Sequence, residues 1–186
     1  MCQREVVEPV VELRRLGRAE LSRVCEIDRT ERIAVLYDQR GTELVARHGD
    51  WTAGRWDPDG DGEHSVGRQV RALEHDVDAG GIAVGAFVGG RLAGIGAVVP
   101  HVRPGIAQLA FLHVSAPMRA TGIGSRLCEQ LDEIARAAGD TSMVVSATPS
   151  ESTVRFYAAR GFQPMAEPLP ELLELEPEDV HMHKVL

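Results

Sequence analysis

A chain of 186 residues is long enough for one compact domain whose core needs no metal or disulfide staple. Its 44% hydrophobic share and formal charge of -8 describe an acidic globular protein, which argues against wholesale nucleic-acid binding and demands a specific site for any anionic ligand. No apolar run approaches the roughly 20 residues that span a bilayer, and Met1 to Glu5 lack the basic-then-apolar order of a signal peptide, so neither a membrane nor a nucleic-acid partner is expected and the location is read as cytoplasmic.

Val10 to Leu16 is rich in β-formers, and after Gly17 the residues Leu21, Val24 and Cys25 recur at helical spacing, predicting strand then helix. Two short apolar runs between Ile33 and Arg47 flank Asp38-Gln39-Arg40-Gly41, a turn-like sequence that predicts a two-stranded excursion. Residues 49 to 64, with two tryptophans and Asp57-Pro58-Asp59-Gly60-Asp61-Gly62, read as loop. Val66, Val70, Leu73 and Val77 share one helical face, and that helix ends near Gly80-Gly81. Strands at Ile82 to Val88 and Leu92 to Val99 are joined by Gly89-Gly90, and a further strand covers Ile106 to Val114. Leu127, Leu131, Ile134, Ala135 and Ala138 mark a helix with Gly139 as left-handed cap. A strand at Met143 to Ala147, a helix at Ser150 to Arg160 and a last strand around Val180 to Val185 complete the chain. The order implies α/β: a mixed sheet with helices on its faces. Cys2, Cys25 and Cys128 are scattered and read as ordinary thiols, and no histidine shows metal spacing with carboxylates, so no metal is expected.

The stretch from Leu109 to Leu127 runs strand, glycine-containing loop, helix start. Backbone N–H groups at such a junction converge, and the helix dipole adds positive potential, which makes an anion seat. Gly122 and Gly124 omit side chains where a diphosphate would approach, and Arg119 offers charge-assisted hydrogen bonds. The same spacing also suits a plain tight turn. Neither the P-loop pattern nor the dinucleotide fingerprint occurs.

Arg119-x-x-Gly122-x-Gly124 after Leu112-His113-Val114 resembles the acetyl-CoA signature of GNAT N-acetyltransferases. Further along, Ser150 to Phe162, with Phe156-Tyr157 and Gly161-Phe162, is similar to that family's second motif. Ala120, Thr121, Ser150 and Thr153 depart from the usual residues. The resemblance covers residues 82 to 163, while 32 to 64 fall outside it. It implies one N-acetyltransferase domain over 1–186 with a GNAT-like, mostly antiparallel central sheet flanked by helices and a hairpin-like insert near residues 32–64. It implies acetyl-CoA as co-substrate, and it leaves room for a homodimer. The backbone at Leu112, His113 and Val114 would pair with the pantetheine arm. Arg119, Ala120, Thr121, Gly122, Ile123, Gly124 and Ser125 would hold the pyrophosphate, with Ser150 and Thr153 on the helix face toward CoA. The amine would attack the thioester directly, and the acceptor would be a primary amine of a small molecule or peptide. A non-catalytic acyl-CoA sensor is the alternative.

Tyr157 shares a helix face with Ser150 and Thr153, and a phenol can protonate a departing thiolate. Packing beside Phe156 is the competing role. A general base is not evident, because Gln108 sits near the place where relatives carry a carboxylate and an amide cannot accept the proton. Glu26, Asp28, His101 and His113 are candidates, although strand alternation groups His113 with Leu109 and Phe111 as a buried structural residue. Trp51 and Trp56 flank acidic residues and suit a wall for a cationic amine. The acidic run from Glu167 to Asp179 reads as solvated loop.

Overall fold

The computed structural model describes residues 10–186, so Cys2 lies outside the described residues. The elements are β1 (Val11–Arg15), a 3₁₀ run (Arg18–Glu26), β2 (Glu31–Arg40), β3 (Glu43–Ala53), α1 (Val66–Asp78), β4 (Ile82–Val88), β5 (Arg91–Arg103), β6 (Ile106–Val114), α2 (Ile123–Ala138), β7 (Ser142–Ala147), α3 (Glu151–Ala158), β8 (Gln163–Pro164), α4 (Pro170–Leu175) and β9 (Val180–Val185). Seven strands form one sheet in the order β1-β4-β5-β6-β7-β9-β8, and β2 with β3 forms a separate hairpin. Within the large sheet only β6 and β7 run parallel. The expected mixed, mostly antiparallel sheet flanked by helices is what the chain folds into, with β2 and β3 as a separate hairpin. No helix among the described residues is long and apolar enough to cross a membrane.

Apolar layers cover both faces of the sheet. On one, α2 and α3 bury Leu127, Leu131, Val154 and Tyr157 against Val84, Leu109 and Val145. On the other, the 3₁₀ run and α1 bury Leu21, Val24 and Leu73 against Phe87, Ile95 and Phe111. Strand β6 serves both layers through an irregularity: Ala97 pairs with Phe111 and Val98 with Leu109, leaving Ala110 unopposed. This bulge turns Leu109 toward α2 and Phe111 toward α1. The alternation that groups Leu109 with Phe111 and His113 therefore holds only from Phe111 onward.

Three local expectations are corrected. The segment after Gly17 is a 3₁₀ run rather than an α-helix. It buries Leu21 and Val24 but leaves Cys25 exposed. Asp38, Gln39 and Arg40 remain within β2, whose ladder with β3 extends to Arg40↔Glu43, so the reversal falls on Gly41 and Thr42. Pairing also carries β3 to Ala53, through residues expected as loop, because Thr52 and Ala53 find partners in Arg32 and Glu31.

The hairpin is fastened to the domain at its flank. Tyr37 N–H donates to Pro149 O at 2.8 Å. The Gln39 side-chain amide donates to Met165 O (2.9 Å) and His181 O (3.2 Å), and its oxygen accepts from His181 N–H at 2.7 Å.

Candidate active site

Strands β6 and β7 pair only from Ile106–Ser142 to Gln108–Val144. Beyond Gln108 the bulge at Ala110 bends β6, while β7 stops at Ala147 and turns through Thr148 and Pro149 into α3. The two parallel strands therefore separate into a wedge. Along its wall the edge of Leu112, His113 and Val114, paired on the other side with Gly96, Ile95 and Gly94, faces the gap. An extended group can add to such an edge as a strand does.

At the end of β6 the chain makes a short 3₁₀ turn over Ala116–Met118 and enters α2 through Ala120 (φ 61°) and Gly122 (φ 85°), both left-handed. The first helical bond runs from Arg126 N–H to Gly122 O at 3.1 Å. Among the described residues the N–H groups of 120 to 125 meet no protein acceptor. They lie at the positive end of a helix dipole, so the junction fits a diphosphate. Ala120, Thr121 and Gly122 are exposed, Gly124 and Ser125 are half-buried, and the Ile123 side chain is in the core. A Cβ on Gly124 would lie 2.9 Å from Cε2 of Phe156. That glycine sets how closely α3 approaches the cradle.

Arg119 is placed differently from the other loop residues. Its guanidinium donates to Val114 O (3.3 Å), Thr30 O (3.1 Å) and Arg29 O (3.1 Å) and pairs with Glu31 at 3.4 Å. The side chain ties the cradle to the start of the hairpin. Ser152 Oγ donates to the same Glu31 carboxylate, so the cradle, the hairpin and α3 are joined through one acid.

On α3, Ser150 is the N-cap, 1% exposed, accepting from Thr153 N–H at 3.4 Å and donating to Thr153 Oγ1 at 2.9 Å. Both hydroxyls are thus engaged in capping. Tyr157 is 5% exposed and stands edge-on to Phe156 and to Phe162, each at 5.3 Å between centroids. Burial, then the neighbouring Cys128, Asp179 and Glu176, push its phenol well above the usual tyrosine range. Tyr157 therefore stays protonated, as a neutral phenol.

The opposite face of the wedge carries His113, whose ring lies 4.8 Å from Phe111 and 5.1 Å from Trp56. Burial, with Arg29 and Arg119 nearby, pulls His113 down to about 4, which makes it a poor proton acceptor. Arg29 lies over the Trp56 ring at 4.4 Å. The indole is 7% exposed, and its Nε1 has no hydrogen-bond partner. Trp51 sits elsewhere, opposite Ile33 in the hairpin and folded over Gly49. The structure brings Trp56 to the wedge and pairs it with no other tryptophan.

The remaining base candidates are occupied or remote. Glu26 is held low by Arg23 and accepts from Leu92 N–H. Asp28 is held low by hydrogen bonds from Thr30 and then by Arg55. His101 pairs with Asp140 at 2.9 Å, at the Arg103–Ile106 end of β6 and away from His113.

The acidic run read as a solvated loop is exposed at Glu167, Glu171, Glu174, Glu176 and Glu178, while Asp179 at its end is half-buried. Asp179 directly precedes β9, and Val180 pairs with Ala147, the last residue of β7. Burial, then Glu176 and Glu63, push Asp179 up to about 7, and Glu176 is raised for the same first cause. His181 is 1% exposed, its Nδ1 lies 3.1 Å from Ser146 Oγ, and its Nε2 has no partner. The available signal was an acid at the border of a strand whose position the sequence shows. Among the described residues no group of three or more His, Cys, Asp or Glu is arranged to hold a metal.

A sheet split between parallel strands, with a helix-terminal anion cradle at the mouth of the split, defines the class as an acyl-CoA N-acyltransferase. The model of the acetyltransferase (GNAT) family matches residues 32–162, and the chain belongs to that family; the match begins at β2, so residues 32–64, expected to lie outside the resemblance, lie within it. Its fold is that of nourseothricin acetyltransferase (TM-score 0.70, 15% identity, covering 94% of this chain and 98% of that one). PaiA N-acetyltransferase from Thermoplasma acidophilum, solved with coenzyme A, is similar at TM-score 0.61 and 16% identity, covering 95% and 99%. A Bacillus anthracis protein solved with acetyl coenzyme A gives TM-score 0.66 and 14% identity over 96% and 98%. No protein with a curated description matches the sequence.

Proposed function

We propose that this acetyltransferase moves an acetyl group from acetyl-CoA to a primary amine by direct attack of the amine on the thioester. The observation that supports the reading is the β6 edge continuing into the acceptor-free N–H groups of residues 120 to 125, with α3 brought against that loop where Phe156 meets Gly124. Acetyl-CoA supplies the activated acyl group when bound. The loop N–H groups would hold its diphosphate, and Leu112 to Val114 would pair with the pantetheine arm. Arg119 acts one step back, by holding the cradle against Arg29, Thr30 and Glu31. Ser150 and Thr153 shape the start of α3. Tyr157 gives its proton to the departing sulfur, a transfer worth about 10²- to 10⁴-fold in rate.

No protein nucleophile is required, since holding the amine and thioester together removes much of the barrier. A cationic acceptor suits the chain's net charge of -8, and the protein of the same fold named nourseothricin acetyltransferase takes nourseothricin as its acceptor, as its name states. The test is thiol release from acetyl-CoA with an amine panel, alongside calorimetric binding of acetyl-CoA to the wild type and to Gly124→Glu. Binding and steady turnover by the wild type, both lost in a folded Gly124→Glu protein, are expected. Binding without turnover of any amine would leave a sensor. Unchanged binding by Gly124→Glu would remove the proposed cradle.

A further inference from the structure

The cradle is short of fixed charge. Its N–H groups and helix dipole together offer about half a positive charge, which suits the bridging diphosphate. Coenzyme A also carries a phosphate monoester on its ribose, a group that holds about -1.5 to -2 charges at neutral pH. The whole chain bears -8, so drawing in that further anion calls for a local cation. The nearest candidates in the loop are engaged elsewhere. Arg119 fastens the hairpin through Val114 O, Thr30 O, Arg29 O and Glu31. Arg126 is exposed and donates to Val11 O at 3.2 Å, toward β1. Thr121 brings no charge, and its hydroxyl donates to Met118 O at 2.6 Å.

Among the described residues a single cationic side chain hydrogen-bonds to residues 120 to 125. It is Arg160, whose Nη2 donates to Ser125 Oγ. Arg160 closes the last turn of α3, where its N–H donates to Tyr157 O at 2.9 Å. The guanidinium lies 3.5 Å over the Phe156 ring, and Nη1 donates to Phe156 O at 2.7 Å. Phe156 is also the ring that a Cβ on Gly124 would strike. Carbonyl, ring and serine thus fix the half-buried head before any ligand arrives, which lowers the entropy lost on binding. Each terminal nitrogen keeps a second N–H, and the planar fork matches phosphate oxygens. An arginine that only capped α3 would need the carbonyl bond alone. This one spans to α2, at the last residue of the N–H run and beside an aromatic face, so its charge sits at the rim of the diphosphate seat.

We propose that Arg160 binds the 3′-phosphate of coenzyme A and makes this chain selective for the phosphorylated coenzyme over its dephosphorylated form. This rests on the acetyltransferase reading. The N–H groups of the loop take the diphosphate, and the Arg160 fork takes the monoester at the rim, oriented by Ser125 and backed by Phe156. The same contact couples the two helices, because a phosphate held by Arg160 lies against the end of α3 while the diphosphate lies against the start of α2. No bond is made or broken by Arg160, so its contribution is to coenzyme affinity.

The experiment is calorimetric titration of wild type, Arg160→Met and Arg160→Gln with coenzyme A and with 3′-dephospho-coenzyme A, with Tm recorded for each protein. Wild type should bind coenzyme A at least tenfold more tightly than the dephosphorylated form. In Arg160→Met that ratio should fall to within twofold of unity, through loss of coenzyme A affinity, while the Kd for 3′-dephospho-coenzyme A stays within twofold of wild type. Arg160→Gln keeps a donor for Ser125 but no charge, so it should lose the ratio as well, and it decides the matter if Arg160→Met does not fold. An Arg160 that merely joins α3 to α2 would weaken both ligands alike and leave the ratio as it was. Equal binding of the two ligands by wild type, or a ratio preserved in the folded variants, would overturn only this inference. Failure of the wild type to bind either ligand would defeat the acetyltransferase reading itself.

Discussion

The Trp56 indole stands edge-on to the His113 imidazole, with ring centroids 5.1 Å apart and planes at 77°. One ring comes from the loop after the hairpin and the other from the strand that borders the wedge. Trp56 is therefore the contact through which that loop reaches the strand bordering the wedge. Trp56→Ala should raise acceptor KM at least tenfold and leave acetyl-CoA Kd within twofold, measured by initial rates and calorimetry. Trp51→Ala, in the hairpin and away from His113, should change acceptor KM less than threefold. Equal effects would place both tryptophans in a purely structural role.

Tyr157→Phe removes a hydroxyl but keeps the edge-on packing with Phe156 and Phe162. Single-turnover rates should fall about 10²- to 10⁴-fold, with acetyl-CoA Kd unchanged. A rate within twofold of wild type would leave Tyr157 as a packing residue.

Gly122 and Gly124 should respond differently to alanine. At Gly122 a Cβ meets nothing within 4 Å, but φ is +85°, so the left-handed conformation costs about 1–2 kcal/mol. Gly122→Ala should lower Tm, with loss of acetyl-CoA affinity secondary. At Gly124 the Cβ would strike Phe156, whose ring carries the Arg160 guanidinium at 3.5 Å. Gly124→Ala should displace α3 and weaken acetyl-CoA binding more than Gly122→Ala does, as calorimetry would show.

Arg119→Lys should fail to replace arginine. A single ammonium cannot reach Val114, Thr30 and Arg29 carbonyls together, as the planar fork does. Hydrogen bonds to a charged donor contribute about 1.5–3 kcal/mol each when buried, and less at this half-exposed side chain. Both Arg119→Lys and Arg119→Ala should lower Tm and weaken acetyl-CoA binding together. Loss of affinity with Tm intact would make Arg119 a direct phosphate ligand instead.

Stability should fall as pH rises through the range where Asp179 ionises. Its folded value is about 7, above the ordinary aspartate value near 3.9, so the folded state holds the extra proton between them and stability declines from about pH 4 to pH 7. Asp179→Asn removes that penalty. Its Tm should exceed wild type at pH 8 and approach it at pH 4, a difference that differential scanning calorimetry would read directly.

Much of the donor side was legible from sequence because it is local. The strand, loop and helix start from Ile106 to Gly124 lie consecutively, and their residue types demand left-handed turns and a helix terminus. The face reversal at Ala110 was not legible, since a bulge is a property of two paired strands and only β5 reveals it. Arg119 was read as a phosphate ligand because its partners, the carbonyls of Arg29 and Thr30, belong to a segment outside the motif. The acceptor side was least legible. Glu63 lies more than a hundred residues before Asp179, and of the acidic run it is Asp179, next to the β9 strand that pairs with β7, that becomes half-buried while Glu174, Glu176 and Glu178 stay exposed.

The two-way hydrogen bonding between Gln39 and the backbone of His181 spans 142 residues. Contacts of such separation form late, because a long loop must close first. The backbone of the cradle is built from consecutive residues, whereas the hairpin cannot settle until the final strand has been synthesised. A nascent chain therefore holds the hairpin in waiting until β9 emerges, and termination before Val180 leaves a product whose Gln39 has lost the His181 backbone that fastens the hairpin.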